Sequence, residues 1–220
     1  MKLHVITPIG PGHEAVVNRA LDSVRIAMEY HTGPFSDVLV RTIDDSDGSM
    51  GRSKARNTGV EGVGADWIFF LDADDVMHPE ALQNVAPFID RYDALWGAIW
   101  ELKAGVMYPR YQIPAIGDYE MLLKNDPYLT LQMGHFVRTE VARKLPFAEH
   151  MDTGEDWDYY LRVWKDYRCR KIQQPFHCNI RGGHSTGPRG ANGIDWRAAV
   201  EGQITQAKGA LDASRSAIGA

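Results

Sequence analysis

The stretch Trp67-Ile68-Phe69-Phe70-Leu71-Asp72-Ala73-Asp74-Asp75 decides the fold class. Its first five residues are apolar without alternation, which predicts a strand buried on both faces, as in the middle of a parallel sheet. The run then ends abruptly in acid. Ligands of open parallel sheets bind outside the carboxyl ends of the strands. Residues two apart on an extended chain point the same way, so Asp72 and Asp74 are expected to face one crevice there.

Working outward, strand and helix patterns alternate. Leu3 to Thr7 predicts a strand closed by Pro8-Ile9-Gly10-Pro11-Gly12. Val17, Ala20, Leu21, Val24, Ala27 and Met28 recur at helical spacing, and His31-Thr32-Gly33-Pro34 stops that helix. Val38 to Ile43 predicts a second strand, ending in the loop Asp44-Asp45-Ser46-Asp47-Gly48. A helix over roughly Ser53 to Val63 leads back to Trp67, and Pro79 suits the first position of the next helix. This order implies an α/β fold with a mainly parallel sheet flanked by helices.

The second half is less regular. Ala94–Trp100, Val106–Tyr111 and Leu131–Val137 predict strands, and Asp118–Lys124 and Thr139–Leu145 predict short helices. Gly154 opens a helix with Trp157, Tyr160, Leu161 and Trp164 on one face, and Arg168–Ile180 predicts one or two strands. Arg181–Gly190 reads as a glycine-rich loop carrying His184. Trp196, Ala199, Val200, Ile204, Ala207 and Leu211 predict a weakly apolar final helix that packs on the body or on a second copy as a homodimer. The expected organisation is one domain over 1–220: a nucleotide-binding half (1–92), an acceptor or catalytic half (93–192) and the terminal helix (193–220).

Hydrophobic content of 44% supports a substantial core, and a net charge of −5 gives no global case for nucleic acid as the main partner. Cys169 and Cys178, nine residues apart with no second pair, match no zinc spacing and predict reduced thiols. The apolar run after Met1 is too short for a signal peptide, and no stretch approaches the ~20 apolar residues of a membrane helix. The expected location is cytoplasmic.

Paired carboxylates at a strand end beside a polyphosphate suit a hard divalent cation, Mg²⁺ or Mn²⁺, which bridges phosphates and neutralises a leaving group. The bland alternative is that Asp72 and Asp74 only cap the strand end and the next helix. The pair does not choose between these readings; its context does. Asp44-Asp45-Ser46-Asp47-Gly48 ends the preceding strand and so belongs to the same crevice. In Ala55-Arg56-Asn57-Thr58-Gly59, Arg56 and Asn57 are candidates for contacts to a base or phosphates.

The ordered set Thr7-Pro8, Asp44 to Gly48, Ala55 to Gly59 and Phe70 to Asp75 resembles glycosyltransferase family 2. The resemblance implies the GT-A fold and transfer of a sugar from a nucleotide diphosphate, usually uridine-linked. It places Thr7 and Pro8 beside the nucleotide, Asp45 or Asp44 on the base, and Arg56 and Asn57 around the nucleotide. Asp72 lies on the ribose or a metal-bound water, and Asp74 on the metal. It also implies a general base at an acidic pair opening a late helix, which Glu155-Asp156 fits. At about 100° per residue, Asp156 falls at the edge of the apolar stripe and Glu155 nearly opposite, so Asp156 is the expected base in an inverting displacement. A late histidine completes the metal site in many relatives; His184 is the first candidate and His177 the competitor. Arg181 and Arg189 are candidates for phosphates, and Trp100 for stacking on a sugar. The acceptor stays open among a saccharide, a lipid carrier, a protein and a modified nucleic-acid base.

Three rival readings share some of these letters. A phosphatase of the haloacid dehalogenase type has an apolar strand ending in Asp-x-Asp-x-Thr/Val, which Phe69 to Val76 satisfies, but it expects that strand first in the chain. A nucleotidyltransferase needs basic residues in its first glycine-rich loop, and Ile9-Gly10-Pro11-Gly12-His13 has no Lys or Arg. A non-catalytic nucleotide-sugar binder is the third.

Overall fold

The computed structural model describes residues 1–151, 153–180 and 193–218. Its centre is an eight-stranded sheet of β1 (Lys2–Ile9), β2 (Asp37–Asp44), β3 (Trp67–Phe70), β4 (Val76–Met77), β5 (Ala94–Lys103), β6 (Val106–Pro109), β7 (His135–Arg138) and β8 (Cys169–Ile180). The spatial order is β2-β1-β3-β7-β5-β8-β4, with β6 hairpinned onto β5. β1, β2, β3, β5 and β8 run the same way, so the sheet is mostly parallel; β7 is inserted antiparallel between β3 and β5.

β3 behaves as its unbroken apolar run requires, with all four residues buried. Trp67 and Phe69 face one core with α1 (Val17–Tyr30) and α3 (Ala81–Val85). Ile68 and Phe70 face the other core with α2 (Arg52–Val60), α4 (Tyr119–Lys124), α5 (Thr139–Lys144), α6 (Glu155–Asp166) and α7 (Gly193–Ile218). Burial on both faces follows from helices covering both sides of a sheet. The parallel register sets Ile6 against Phe70 and Ile9 against Asp44, so the carboxyl ends of the first three strands lie together.

Several boundaries differ from expectation. β7 begins at His135, because Pro127–Leu129 form a 3-10 turn and Leu131–Met133 pack without joining the sheet. β4 is only two residues long and gave no periodic signal, yet it pairs with Cys178 and His177 of β8. Arg168–Ile180 yields one twelve-residue strand, β8, whose register shifts against β5 near Ala98. The apolar stripe of α7 packs on the chain's own core through Trp196, Val200, Ile204, Ala207 and Leu211.

The stop after α1 has a tertiary purpose. Gly33 has φ +61°, and a Cβ there would sit 1.8 Å from the Leu82 carbonyl oxygen of α3. Gly33→Ala is expected to lower unfolding stability by about 1–3 kcal/mol, through backbone strain and overpacking. A urea titration followed by tryptophan fluorescence checks this.

Candidate active site

The acidic residues after β3 form a turn, with the Asp75 N–H donating to the Asp72 carbonyl at 3.1 Å. The expectation that strand alternation aligns Asp72 and Asp74 is therefore replaced by turn geometry. That turn adds a third member: carboxylate oxygens of Asp72, Asp74 and Asp75 lie within 4.8 Å of one another. Asp72 and Asp74 are partly exposed, whereas Asp75 is buried. Asp75 accepts from Asn179 Nδ2 at 2.6 Å and from the Ile180 N–H at 3.1 Å, both on β8. Burial and the neighbouring charges of Asp74 and Asp72 still push its carboxyl well above the usual range. An all-oxygen, over-acidic cluster of this kind fits a hard divalent cation, whose charge relieves the repulsion.

The first two strands bring their residues to the same edge. Thr7 and Pro8 are buried near the end of β1, and the Thr7 hydroxyl has no protein partner. Asp44 is exposed and accepts from the Ser46 N–H at 3.0 Å; the Ser46 hydroxyl and then this N–H lower its carboxyl. Asp45 is 3% exposed, its carboxylate receiving the Met50 and Gly51 N–H groups at 2.7 and 2.9 Å. Asp45 thereby shapes the loop entering α2. Each carboxylate oxygen retains a second acceptor direction.

Arg56 is the joint of the site. It is 5% exposed, donates to Asp72 Oδ1 at 2.7 Å and lies 3.5 Å from Glu155 Oε1 at the start of α6. Arg52 adds a 3.6 Å contact to the same Glu155 oxygen, and the Arg56 guanidinium lies over the Phe147 ring. These two carboxylates hold Arg56 firmly protonated. Asn57 turns away: its amide donates to the Phe147 carbonyl and Glu149, and its oxygen accepts the Phe147 N–H at 2.8 Å. Its polar atoms clamp the 147–149 segment.

The helical-wheel placement of Glu155 does not hold. It is 4% exposed, because α6 buries a second row, Glu155, Tyr159 and Val163, beside the expected stripe. Asp156 is half-buried between the two rows. It accepts from the Trp157 N–H at 2.8 Å. Burial and then Glu155 raise its carboxyl to about 6, against the lowering effects of the Trp157 N–H and Arg56. Glu155 is committed to two guanidiniums, whereas Asp156 is poised for proton exchange near neutrality.

Behind the acidic turn, Phe70, His135, Trp96 and Lys171 stand in register across β3, β7, β5 and β8. His135 stacks on Trp96 with centroids 4.5 Å apart. Burial lowers His135 to about 3 and His177 to about 4. His177 is 2% exposed and lies outside the carboxylate cluster, so among the described residues that cluster consists of aspartates alone. Trp100 makes an edge contact with His78 at 5.3 Å. His184, Arg181 and Arg189 lie outside the described residues. Asp75 was visible in the sequence as the letter after Asp74; Asn179 carried no local signal for its role.

Two measurements probe this arrangement. Arg56→Met leaves Glu155 buried with a weakened partner set and is expected to cost about 3–5 kcal/mol, with Arg56→Met/Glu155→Met recovering part of it. Chemical denaturation of the three proteins reads this out. His135 and His177 have lowered folded-state values, so between about 6.5 and 4 the unfolded chain binds protons that the folded chain refuses. Stability is therefore expected to fall as pH drops through that window, with a shallower slope in His177→Gln.

Comparison with known proteins agrees with this geometry. The family model described as Glycosyl transferase family 2 matches residues 18–136. An uncharacterized glycosyltransferase, YwdF of Bacillus subtilis, is 29% identical over 132 residues, covering 56% of this chain and 48% of YwdF. The chain thus spans about half the length of that relative. Among solved structures, S. aureus TarS 1–349 in complex with UDP-GlcNAc shares the fold at a TM-score of 0.59 and 18% identity, covering 84% of this chain and 60% of that one. Mycobacterium tuberculosis glucosyl-3-phosphoglycerate synthase, in complex with Mn²⁺, UDP-Glc and phosphoglyceric acid, aligns at 0.55 and 14% identity, covering 93% and 80%. The phosphatase reading falls, since its signature strand stands third in this chain and the matched family is a different one. With its acidic turn at the carboxyl edge of a GT-A sheet, this chain belongs to glycosyl transferase family 2.

Proposed function

We propose that the chain transfers a sugar from a uridine diphosphate donor to an acceptor hydroxyl, with Asp156 as general base and inversion at the anomeric carbon. The observation that supports this reading is the pairing of two unlike acidic sites joined by Arg56. One is a three-carboxylate turn suited to a cation. The other is a half-buried carboxylate raised to about 6. The donor assignment draws on TarS, solved with UDP-GlcNAc, and on the synthase solved with Mn²⁺ and UDP-Glc.

The residues divide the work. Asp45 and Asp44 offer acceptor oxygens to the base, and Thr7 and Pro8 line the nucleotide at the β1 end. Asp74 and Asp75 would hold the cation, while Asp72, drawn onto Arg56, would lie toward the ribose or the cation's own water. Bound Mn²⁺ or Mg²⁺ supplies charge neutralisation at the departing diphosphate. Asp156 takes the proton of the attacking hydroxyl, and the carbon–oxygen bond to the diphosphate breaks as the new glycosidic bond forms. His184 remains the proposed additional cation ligand. No described helix is long and apolar enough to cross a membrane.

Calorimetry with UDP and MnCl₂ tests the donor half. Asp74→Asn is expected to weaken Mn²⁺-dependent UDP binding at least about tenfold. Asp156→Asn is expected to leave UDP affinity intact while slowing UDP release from a UDP-sugar panel by about 10²–10⁴. The wild-type rate should fall as pH drops through about 6, since a protonated carboxyl cannot accept the proton. Full turnover by Asp156→Asn would remove Asp156 from the chemistry.

A further inference from the structure

The shortest strand of the sheet stands beside the acidic turn and ties it down. β4 sets Val76 against Cys178 and Met77 against His177 in antiparallel register with β8. The His78 N–H continues that line, donating to the Phe176 carbonyl at 2.9 Å. At the other end the next position is Asp75 beside Asn179, and there a side chain makes the join. Asp75 Oδ2 accepts from Asn179 Nδ2 at 2.6 Å, and Oδ1 accepts from the Ile180 N–H at 3.1 Å. Each oxygen has its own donor from one strand, which fixes the plane of the carboxylate.

The far end of the turn is held as well. Arg56 Nη2 donates to Asp72 Oδ1 at 2.7 Å, and the Asp75 N–H closes the turn on the Asp72 carbonyl. Asp74 lies between two anchored neighbours. Asn179 is 6% exposed, and only its amide nitrogen can face a carboxylate, so its oxygen is the end left over. That buried oxygen has no hydrogen-bond partner. A buried acceptor without a donor is costly. It sits next to three carboxylates whose oxygens lie within 4.8 Å of one another. Both features are an excess of acceptor oxygen in one place. A hydrated divalent cation relieves both, since it takes carboxylate oxygens and keeps waters that donate. An anion or an apolar group would relieve neither.

We propose that Asn179 is a positioning residue of the cation site: it holds Asp75 as a standing third carboxylate, so that the turn takes a divalent cation before any nucleotide is bound. The inference rests on the cation half of the proposed function and adds to it a residue and an order of binding. The physical basis is preorganisation. A turn fixed at Asp72 by α2 and at Asp75 by β8 loses little freedom when the ion arrives, and an outer bond that orients a ligand typically sets metal affinity by about ten- to a hundredfold. β4, two residues long, thereby acts as the strap that carries the turn onto β8.

The test uses MnCl₂ and the full chain with no nucleotide present. The electron paramagnetic resonance signal of free Mn²⁺ is expected to fall as wild-type protein is added. In Asn179→Leu, which keeps the side-chain volume and removes both polar atoms, Mn²⁺ is expected to bind about ten- to a hundredfold more weakly. Circular dichroism establishes that the variant is folded at the temperature of the titration. A purely structural role predicts a lower melting temperature with Mn²⁺ affinity unchanged, and that result overturns the proposal. So does a wild type that takes up Mn²⁺ only when UDP is added. Asp75→Asn keeps the test open should Asn179→Leu not fold. Its melting temperature without metal is expected to rise, because one of three crowded charges is gone, and its Mn²⁺ uptake without UDP is expected to be lost; uptake equal to wild type overturns the proposal. The transferase reading fails separately. If Mn²⁺ binds the bare protein and Asn179→Leu weakens it, while no UDP-sugar is bound or turned over, the cation site stands and the donor assignment falls.

Discussion

One buried guanidinium ties the two halves of the crevice together. Arg56 reaches Asp72, sixteen residues later at the end of β3, and Glu155, ninety-nine residues later at the head of α6. A buried arginine without an anionic partner would carry an uncompensated charge out of water. The fold therefore brings the acidic turn and the head of α6 to a fixed separation. Asn57, on the next position of the same helix, locks the 147–149 segment that leads into α6. Two adjacent residues of α2 thus position the start of α6 and the segment before it.

The local charge is distributed to different ends at the two acidic centres. At the turn, three carboxylates share a small volume, with Arg56 donating to Asp72 and β8 donating to Asp75. The repulsion left over is what a cation removes. At α6, Glu155 and Asp156 sit at a helix N-terminus, where the dipole favours anions. Glu155 is quenched by two arginines, while Asp156, less paired and partly desolvated, is raised to about 6. The neighbouring imidazoles of His135 and His177 are held neutral by burial and add no positive charge to the floor.

Legibility in the sequence followed periodicity. The five-residue apolar run of β3, the stripes of α1 and α6 and the acidic loop ends were readable because each is a local pattern repeated over several residues. The second buried row of α6 was missed because Glu155 and Tyr159 are polar letters, buried by Arg56 and an aromatic cluster that no local window contains. β4 and Asp75 were missed for a related reason. Two residues make no period, and the partners of Asp75 come from β8, over one hundred residues away.

The sequence by itself determined the α/β alternation, the family and the carboxylates at the strand ends, because hydrophobic period and motif order are properties of the chain read in one dimension. Only the tertiary structure decided what each polar side chain does. It set Asn57 as a clamp on the 147–149 segment and made Glu155 the partner of Arg52 and Arg56. The physical reason is range. A buried polar group must find its partner wherever the packing puts one, and here Arg56, Asn57 and Asp75 find theirs 99, 90 and 105 residues away along the chain.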